Sequence, residues 1–208
     1  MCKKLTLLIL TLTISLSVCG CNLSDSDMDI YEKIHKKYLK MESYTADLDM
    51  TVFSNKTENR YFVTQKSQVP DKFYTRVTDP DGLFSVTTVT DGAVTRVDAE
   101  GSDYAITVPS DDYMNLLFVN NFLTAYYASE STYLSVDSSL IKGNNTSFSV
   151  DIDESGLCIR RACMTFDNDS LAPQSITIYG ENEQILATAK YENFNFNENI
   201  DPSVFNTD

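Results

Sequence analysis

No tryptophan occurs in these 208 residues, and there is a single histidine, His35. Hydrolytic, metal and nucleophile-base mechanisms lean on histidine, so most enzyme classes lose their usual base at the outset. Basic residues are scarce too: 16 Lys and Arg stand against 30 Asp and Glu, a formal net charge of -14. Displacing counterions from phosphate needs a basic face, which this balance excludes as a default, so nucleic acid is not an expected partner. Arg160-Arg161 is the one adjacent arginine pair, and it reads as part of a solvated strand face. Glycine-rich phosphate loops, GxSxG elbows and Cys-His arrangements are missing. What is present is 42% apolar, 22% charged and 11% aromatic, the profile of one ordinary globular domain.

Long apolar runs are also lacking, except at the amino terminus. Met1-Cys2-Lys3-Lys4 is a short basic segment, and residues 5–18 form an apolar stretch shorter than the roughly 20 residues a membrane span requires. The order basic, then apolar, then small is that of a signal peptide. The stretch ends in Leu16-Ser17-Val18-Cys19-Gly20-Cys21, which resembles a bacterial lipobox. That resemblance implies a thioether from Cys21 to diacylglycerol, acylation by palmitate-like chains, and cleavage before Cys21. The expected organisation is a lipoprotein signal peptide at 1–20, a lipidated Cys21 with a polar leash at 21–27, and one domain at 28–208. Cleavage would remove Lys3 and Lys4 but no acid, leaving an acidic domain tethered outside the cytoplasmic membrane.

Of five cysteines, Cys2 and Cys19 would leave with the signal peptide, so the domain keeps Cys158 and Cys163. They fall in a stretch, 157–166, that reads as a strand. Five residues apart on a regular strand they face opposite ways, so a disulfide is not expected, and small apolar fillers with no redox or metal role are.

Residues 25–41 place Ile30, Tyr31, Ile34, Tyr38 and Met41 on one helical face, with acids early and lysines late to suit the helix dipole. His35 falls off this stripe and is expected to face solvent. From Tyr44 the period drops to two, with Ala46, Leu48, Met50 and Val52 alternating with polar residues. Further strands are expected at 60–69, 72–78, 83–90, 93–98 and 104–108. Asp91-Gly92 is read as the tight type I′ turn of a hairpin. Pro109-Ser110-Asp111-Asp112 starts a helix running through 113–129, with a break expected at Asn120-Asn121. Strands resume at 132–141, 146–152, 157–166, 174–179 and 185–194. The implied fold class is α+β: a curved antiparallel sheet with an N-terminal helix and a helical insertion midway.

Certain stretches resemble the LolA/LolB-like family of lipoprotein carriers. They are Tyr44-Thr45-Ala46-Asp47-Leu48, Val69-Pro70-Asp71-Lys72-Phe73-Tyr74, Thr90-Asp91-Gly92 and the tail Tyr191-Glu192-Asn193-Phe194-Asn195-Phe196-Asn197. The resemblance implies a half-open β-barrel with helices on its concave face. Within that superfamily, an acidic lipobox-bearing single domain looks like the Gram-positive spore germination lipoproteins of the GerS type. What that implies is a non-enzymatic partner of a cortex-modifying N-acetylmuramoyl-L-alanine amidase, needed for muramic-δ-lactam formation and cortex degradation in germination. The expected location is extracytoplasmic and lipid-anchored, including the space between forespore and mother-cell membranes. A homodimer through the sheet edges is left open.

The alternative is a lipid or lipoprotein carrier. Leu48, Met50 and Val52, with Phe122 and Tyr126 from the inserted helix, are the candidate lining of an apolar cavity; the competing reading is that they fill a dry core. Asp151-Ile152-Asp153-Glu154-Ser155-Gly156 matches half of a calcium loop, but position twelve is Ala162, so no calcium site is expected. No catalytic residue, metal or cofactor is expected.

Overall fold

Two-residue alternation becomes a single sheet of ten antiparallel strands. The computed structural model describes residues 25–54, 56–101, 111–137, 144–152 and 158–207. The signal peptide, Cys21, the expected strand at 104–108, the Pro109-Ser110 helix start and residues 153–157 of the acidic loop lie outside the described residues. The strands are β1 (Ser43–Phe53), β2 (Glu58–Gln68), β3 (Lys72–Thr78), β4 (Phe84–Asp91), β5 (Val94–Gly101), β6 (Thr132–Asp137), β7 (Asn145–Asp151), β8 (Arg161–Asp167), β9 (Pro173–Tyr179) and β10 (Ile185–Phe196). Helix α1 (Asp25–Tyr38) precedes them, and α2 (Asp111–Leu117) and α3 (Val119–Ala128) separate β5 from β6.

The strand order is β5-β4-β3-β2-β1-β10-β9-β8-β7-β6. Among the described residues two five-strand meanders therefore join where β1 pairs with β10, and the curved sheet stays open, with β5 and β6 as its outermost strands. This is the α+β architecture expected from the sequence. The inward residues of central β1 and β10 are enclosed: Tyr44, Ala46, Leu48 and Met50 of β1 and Ala187, Ala189 and Tyr191 of β10 are all buried. Their outward neighbours carry ladders such as Arg60 to Asp49 and Thr64 to Asp47.

Strict two-residue alternation is interrupted by register shifts, and one of them shapes the core. The β1–β10 register shifts between Thr45 and Asp47, and Asn193 adopts a positive φ of 49°. This bulge puts one extra residue into β10. Tyr191, Phe194 and Phe196 consequently all contribute to the same core, although their spacing of three and then two fits no regular strand. Tyr44 stacks on Phe194 at 4.8 Å, and Phe194 meets Phe196 edge-on at 4.8 Å.

Helix α1 buries Ile34 and Tyr38 against the sheet, as its stripe requires. Tyr38 packs edge-on against Phe166 and Phe196, both at 5.4 Å. Each large side chain so enclosed contributes about 1.5–3 kcal/mol of transfer free energy. His35 does not face solvent as expected. It is half-buried, with its ring 4.8 Å from Tyr127 in an edge contact and 6.1 Å from Tyr31. It sits one position beside Ile34, and α3 closes over that flank with an aromatic side chain that the sequence of α1 cannot reveal.

Three boundaries also differ. The hairpin loop is Gly92-Ala93, one residue later than expected, since Asp91 pairs with Val94. Only Gly92 of the two has a positive φ, 60°, which is the type II′ pattern and not type I′. The inserted helix does break, but at Phe118 instead of Asn120-Asn121. And β8 starts at Arg161, so Cys158 lies in the approach to the strand; both cysteines are free thiols, with Cys158 exposed and Cys163 half-buried.

Candidate functional site

The inward face divides into a filled half and a partly open half. On the filled side Phe122, Leu123 and Tyr126 of α3 pack with Phe148, Met164, Phe166 and Ile178 into one continuous core that also holds Leu48 and Met50. Met50 and Phe122 are 0% exposed, Leu48 2% and Tyr126 7%. Val52, near the end of β1, is half-buried against the same cluster. The fold thus brings these five candidates into one aromatic and aliphatic mass at the sheet centre.

Toward β5 the cover thins. A cleft of about 290 Å³ lies between the β3–β4–β5 face and the α2 end of the inserted helices. Its walls are Phe73, Thr75 and Val77 of β3, Val86, Thr88 and Thr90 of β4, Thr95 and Val97 of β5, and Met114, Asn115 and Phe118. Phe73 and Phe118 close one side with ring centroids 4.7 Å apart. No wall residue is charged, and the hydroxyls of four threonines are interleaved with valine and phenylalanine. Such a surface holds an uncharged or weakly polar group and offers neither a nucleophile nor a general base. Reasoning from the sequence missed these residues. Its one available signal was the alternation of threonine with valine across the β4–β5 hairpin, a face less apolar than that of β1.

Phe118 reaches the cleft because two tyrosines hold the helix open. It is extended, at φ -75° and ψ 121°, and caps α3 without a side-chain hydrogen bond. The chain groups this break frees are taken by the sheet: the Tyr191 hydroxyl donates to the Leu117 carbonyl, and the Val119 N–H donates to the Tyr44 oxygen at 3.3 Å. Tyr44 in turn donates to Gln65 Oε1 at 3.4 Å, and Asn120 donates to Ser67 at 3.3 Å. Burial pushes the Tyr44, Tyr191 and Tyr38 phenols well above their ordinary value, so they remain neutral donors and not acid-base groups. Gln65 Nε2 and Asn120 Oδ1 are buried without a partner, a donor and an acceptor in the same polar joint.

The polar turns behave as turns. The Asp167 carboxylate accepts from the Ser170 N–H and hydroxyl, both at 2.7 Å, and buried Asn168 accepts from Thr146 at 2.6 Å. Among the described residues no group of three or more His, Cys, Asp or Glu side chains is placed to hold a metal ion. Among the same residues no helix is long and apolar enough to cross a membrane.

A second exposed feature lies at the opposite edge of the sheet. Met28 and Tyr31 of α1, Tyr126 and Tyr127 of α3, and Tyr133 and Leu134 of β6 surround a shallow groove. Met28, Tyr127 and Tyr133 are 43%, 40% and 60% exposed.

Residues 2–205 match the family described as Sporulation protein YdcC-like. Among curated proteins none matches in sequence. Solved structures with a similar fold include a LolA superfamily protein of Nitrosomonas europaea (10% identity, 87% of this chain and 97% of that one, TM-score 0.40). They also include the CwlD amidase of Clostridioides difficile in complex with the GerS lipoprotein (14%, 85% and 98%, TM-score 0.35). A third is the MucA/MucB complex of Pseudomonas aeruginosa (14%, 88% and 61%, TM-score 0.43). None of the three exceeds 14% identity, a distance at which function does not travel with fold.

Proposed function

The chain belongs to the YdcC-like family of sporulation proteins, and on that premise we propose that it is a lipid-anchored, non-enzymatic accessory protein of the spore cortex. In this reading Cys21 carries the diacylglycerol anchor, the domain stands outside the cytoplasmic membrane, and its partner is an N-acetylmuramoyl-L-alanine amidase acting in muramic-δ-lactam formation. The observation that carries it is the family match over residues 2–205, a span that takes in the stretch read as a lipobox. The amidase as partner comes from the likeness of the sequence to germination lipoproteins. The buried polar groups fit this reading, because Tyr44, Tyr191 and Ser67 are engaged in holding the helices to the sheet.

The test is affinity capture of the tagged mature chain from sporulating cells, followed by native mass spectrometry with the amidase of the same genome. A stoichiometric complex is expected. Absence of measurable affinity between the two purified proteins sinks the adaptor reading.

One observation favours a second reading, a lipid carrier: the uncharged 290 Å³ cleft beside Phe118. In that case an acyl lipid co-purifies without a protein, and Val86→Trp, which fills the cleft, releases it.

A further inference from the structure

The exposed tyrosine groove and the chain's amino-terminal connection meet at one end of the molecule. Helix α1 begins at Asp25, and Met28 of that helix lines the groove with Tyr127 and Tyr133. Cys21 lies four positions before Asp25, and three more positions reach Met28. At about 3.5 Å per extended residue and about 1.5 Å per helical residue, Met28 stands within roughly 20 Å of whatever holds Cys21.

We propose that this patch, centred on Met28, Tyr127 and Tyr133, is a membrane-contact surface that rests on the lipid headgroups and orients the domain above the bilayer. The inference rests on the lipid-anchor part of the function proposed above. Tyrosine suits this position because its ring is apolar and its hydroxyl is wet, the pairing that concentrates aromatics at bilayer interfaces. The patch has that form: Tyr126 and Tyr127 meet edge-on at 5.5 Å, Tyr126 bonds to Thr132, and the flat, exposed ring of Tyr133 extends the surface onto edge strand β6.

Electrostatics does not supply the attraction. Exposed Asp29 and Glu32 on α1 and Glu130 just before β6 outnumber the exposed Lys33 of α1, and Lys36 is paired to Glu32. Contact is therefore apolar and aromatic, and salt leaves it intact. A globular protein is a poorer occupant of this face. A folded domain of even 100 residues has a radius of gyration of about 13 Å, which for a sphere is a diameter of roughly 34 Å, wider than the roughly 20 Å between Met28 and the anchor.

The lack of tryptophan makes the test direct, since Tyr133→Trp introduces the only indole. The full lipoprotein, processed in a bacterial host, is reconstituted into phosphatidylethanolamine–phosphatidylglycerol vesicles doped with phosphatidylcholine brominated near the headgroup. Met28→Trp is a second reporter on a different element, and Phe62→Trp on the outer face of β2 is the control. Both patch reporters are expected to shift to the blue and to be quenched at least threefold more than the control, with no loss in 0.5 M NaCl. The diacylglycerol adduct on Cys21 is measured separately by mass spectrometry.

An adduct with equal quenching at all three positions overturns the patch and leaves the anchor standing. No adduct overturns the anchor and the patch with it. A blue shift that follows protein concentration without vesicles assigns the surface to a second copy of the chain, and one produced only by a purified amidase assigns it to a protein; either overturns the proposal.

Discussion

Tyr191 on β10 gives its hydroxyl hydrogen to the carbonyl of Leu117, the last residue of α2. One strand away, the oxygen of Tyr44 receives the N–H of Val119, the first residue of α3. Between them Phe118 turns out of the helical path and becomes a wall of the cleft. The two central strands therefore decide where the inserted helix breaks, and that break decides the shape of the open half of the molecule.

Removing the Tyr191 hydroxyl leaves the 0%-exposed Leu117 without its partner. Tyr191→Phe should cost about 1–3 kcal/mol, the penalty of an unsatisfied buried carbonyl. Tyr44→Phe should cost a similar amount, and because both act on one joint the double variant should depart from additivity by at least about 0.5 kcal/mol. Urea titration of the four proteins measures this; strict additivity would detach the two tyrosines from a common role.

The filled half is testable by truncation. Phe122→Ala should cost about 3–5 kcal/mol and Met50→Ala about 2–5 kcal/mol, since each leaves a void in a closed core. Phe62→Ala on the outer face, where the side chain is 45% exposed, should stay within about 0.5 kcal/mol. Costs near 1 kcal/mol at Phe122 and Met50 would mean a hollow interior in place of a packed one.

A methyl group at Gly92 would meet no closer atom than Asp71 Oδ2 at 3.5 Å, an ordinary contact, yet the backbone φ there is 60°. Gly92→Ala should therefore lose about 1–2 kcal/mol from backbone strain alone. Gly92→Asn should lose less, because asparagine is among the residues other than glycine that accept the positive φ of such hairpin turns. Thermal or urea unfolding of the two variants separates the causes, and equal losses would place the cost in side-chain contacts.

Stability should fall at both ends of the pH range. Asp49 is held below the usual carboxylate value by hydrogen bonding to Arg60, and Asp167 by the N–H and hydroxyl of Ser170. A depressed pKa stabilises the fold above the unfolded value near 3.8, and this is lost as pH falls through the folded value. Burial raises the phenols of Tyr38, Tyr44 and Tyr191 above 10.0. That contribution is complete below pH 10 and is lost as pH rises toward the folded values. Urea midpoints across the range give the curve, and Tyr191→Phe should flatten its alkaline limb. An unchanged midpoint between about pH 9 and about pH 11 would contradict the burial of these rings.

The two thiols should differ in rate. Cys158 is exposed, whereas Cys163 is half-buried and its pKa is raised chiefly by that burial. With N-ethylmaleimide at neutral pH, Cys158 should label at least tenfold faster. Peptide mass mapping reads the order, and equal rates would place Cys163 at the surface.

Local periodicity alone determined the strand-rich character, the stripe of α1 and the alternation of β1, because residues two, three or four apart share a face whatever surrounds them. The basic, apolar and small residues before Cys21 are equally local, and they carry the anchor reading. What only the tertiary structure decided depends on neighbours far along the chain. The helix breaks at Phe118 because tyrosines from β1 and β10 satisfy the freed backbone groups there. His35 joins an aromatic cluster because Tyr127 of α3 arrives beside it, and Phe194 and Phe196 turn inward because a bulge at Asn193 shifts the register. Leu48 and Met50 are enclosed because they belong to the core that Phe122 and Tyr126 of α3 close, as does Phe148 on β7, while the similar alternation of β4 and β5 is left beside an open cleft. Burial depends on which part of the sheet the helices cover, and the one pairing that joins the two meanders, β1 with β10, links residues more than a hundred positions apart.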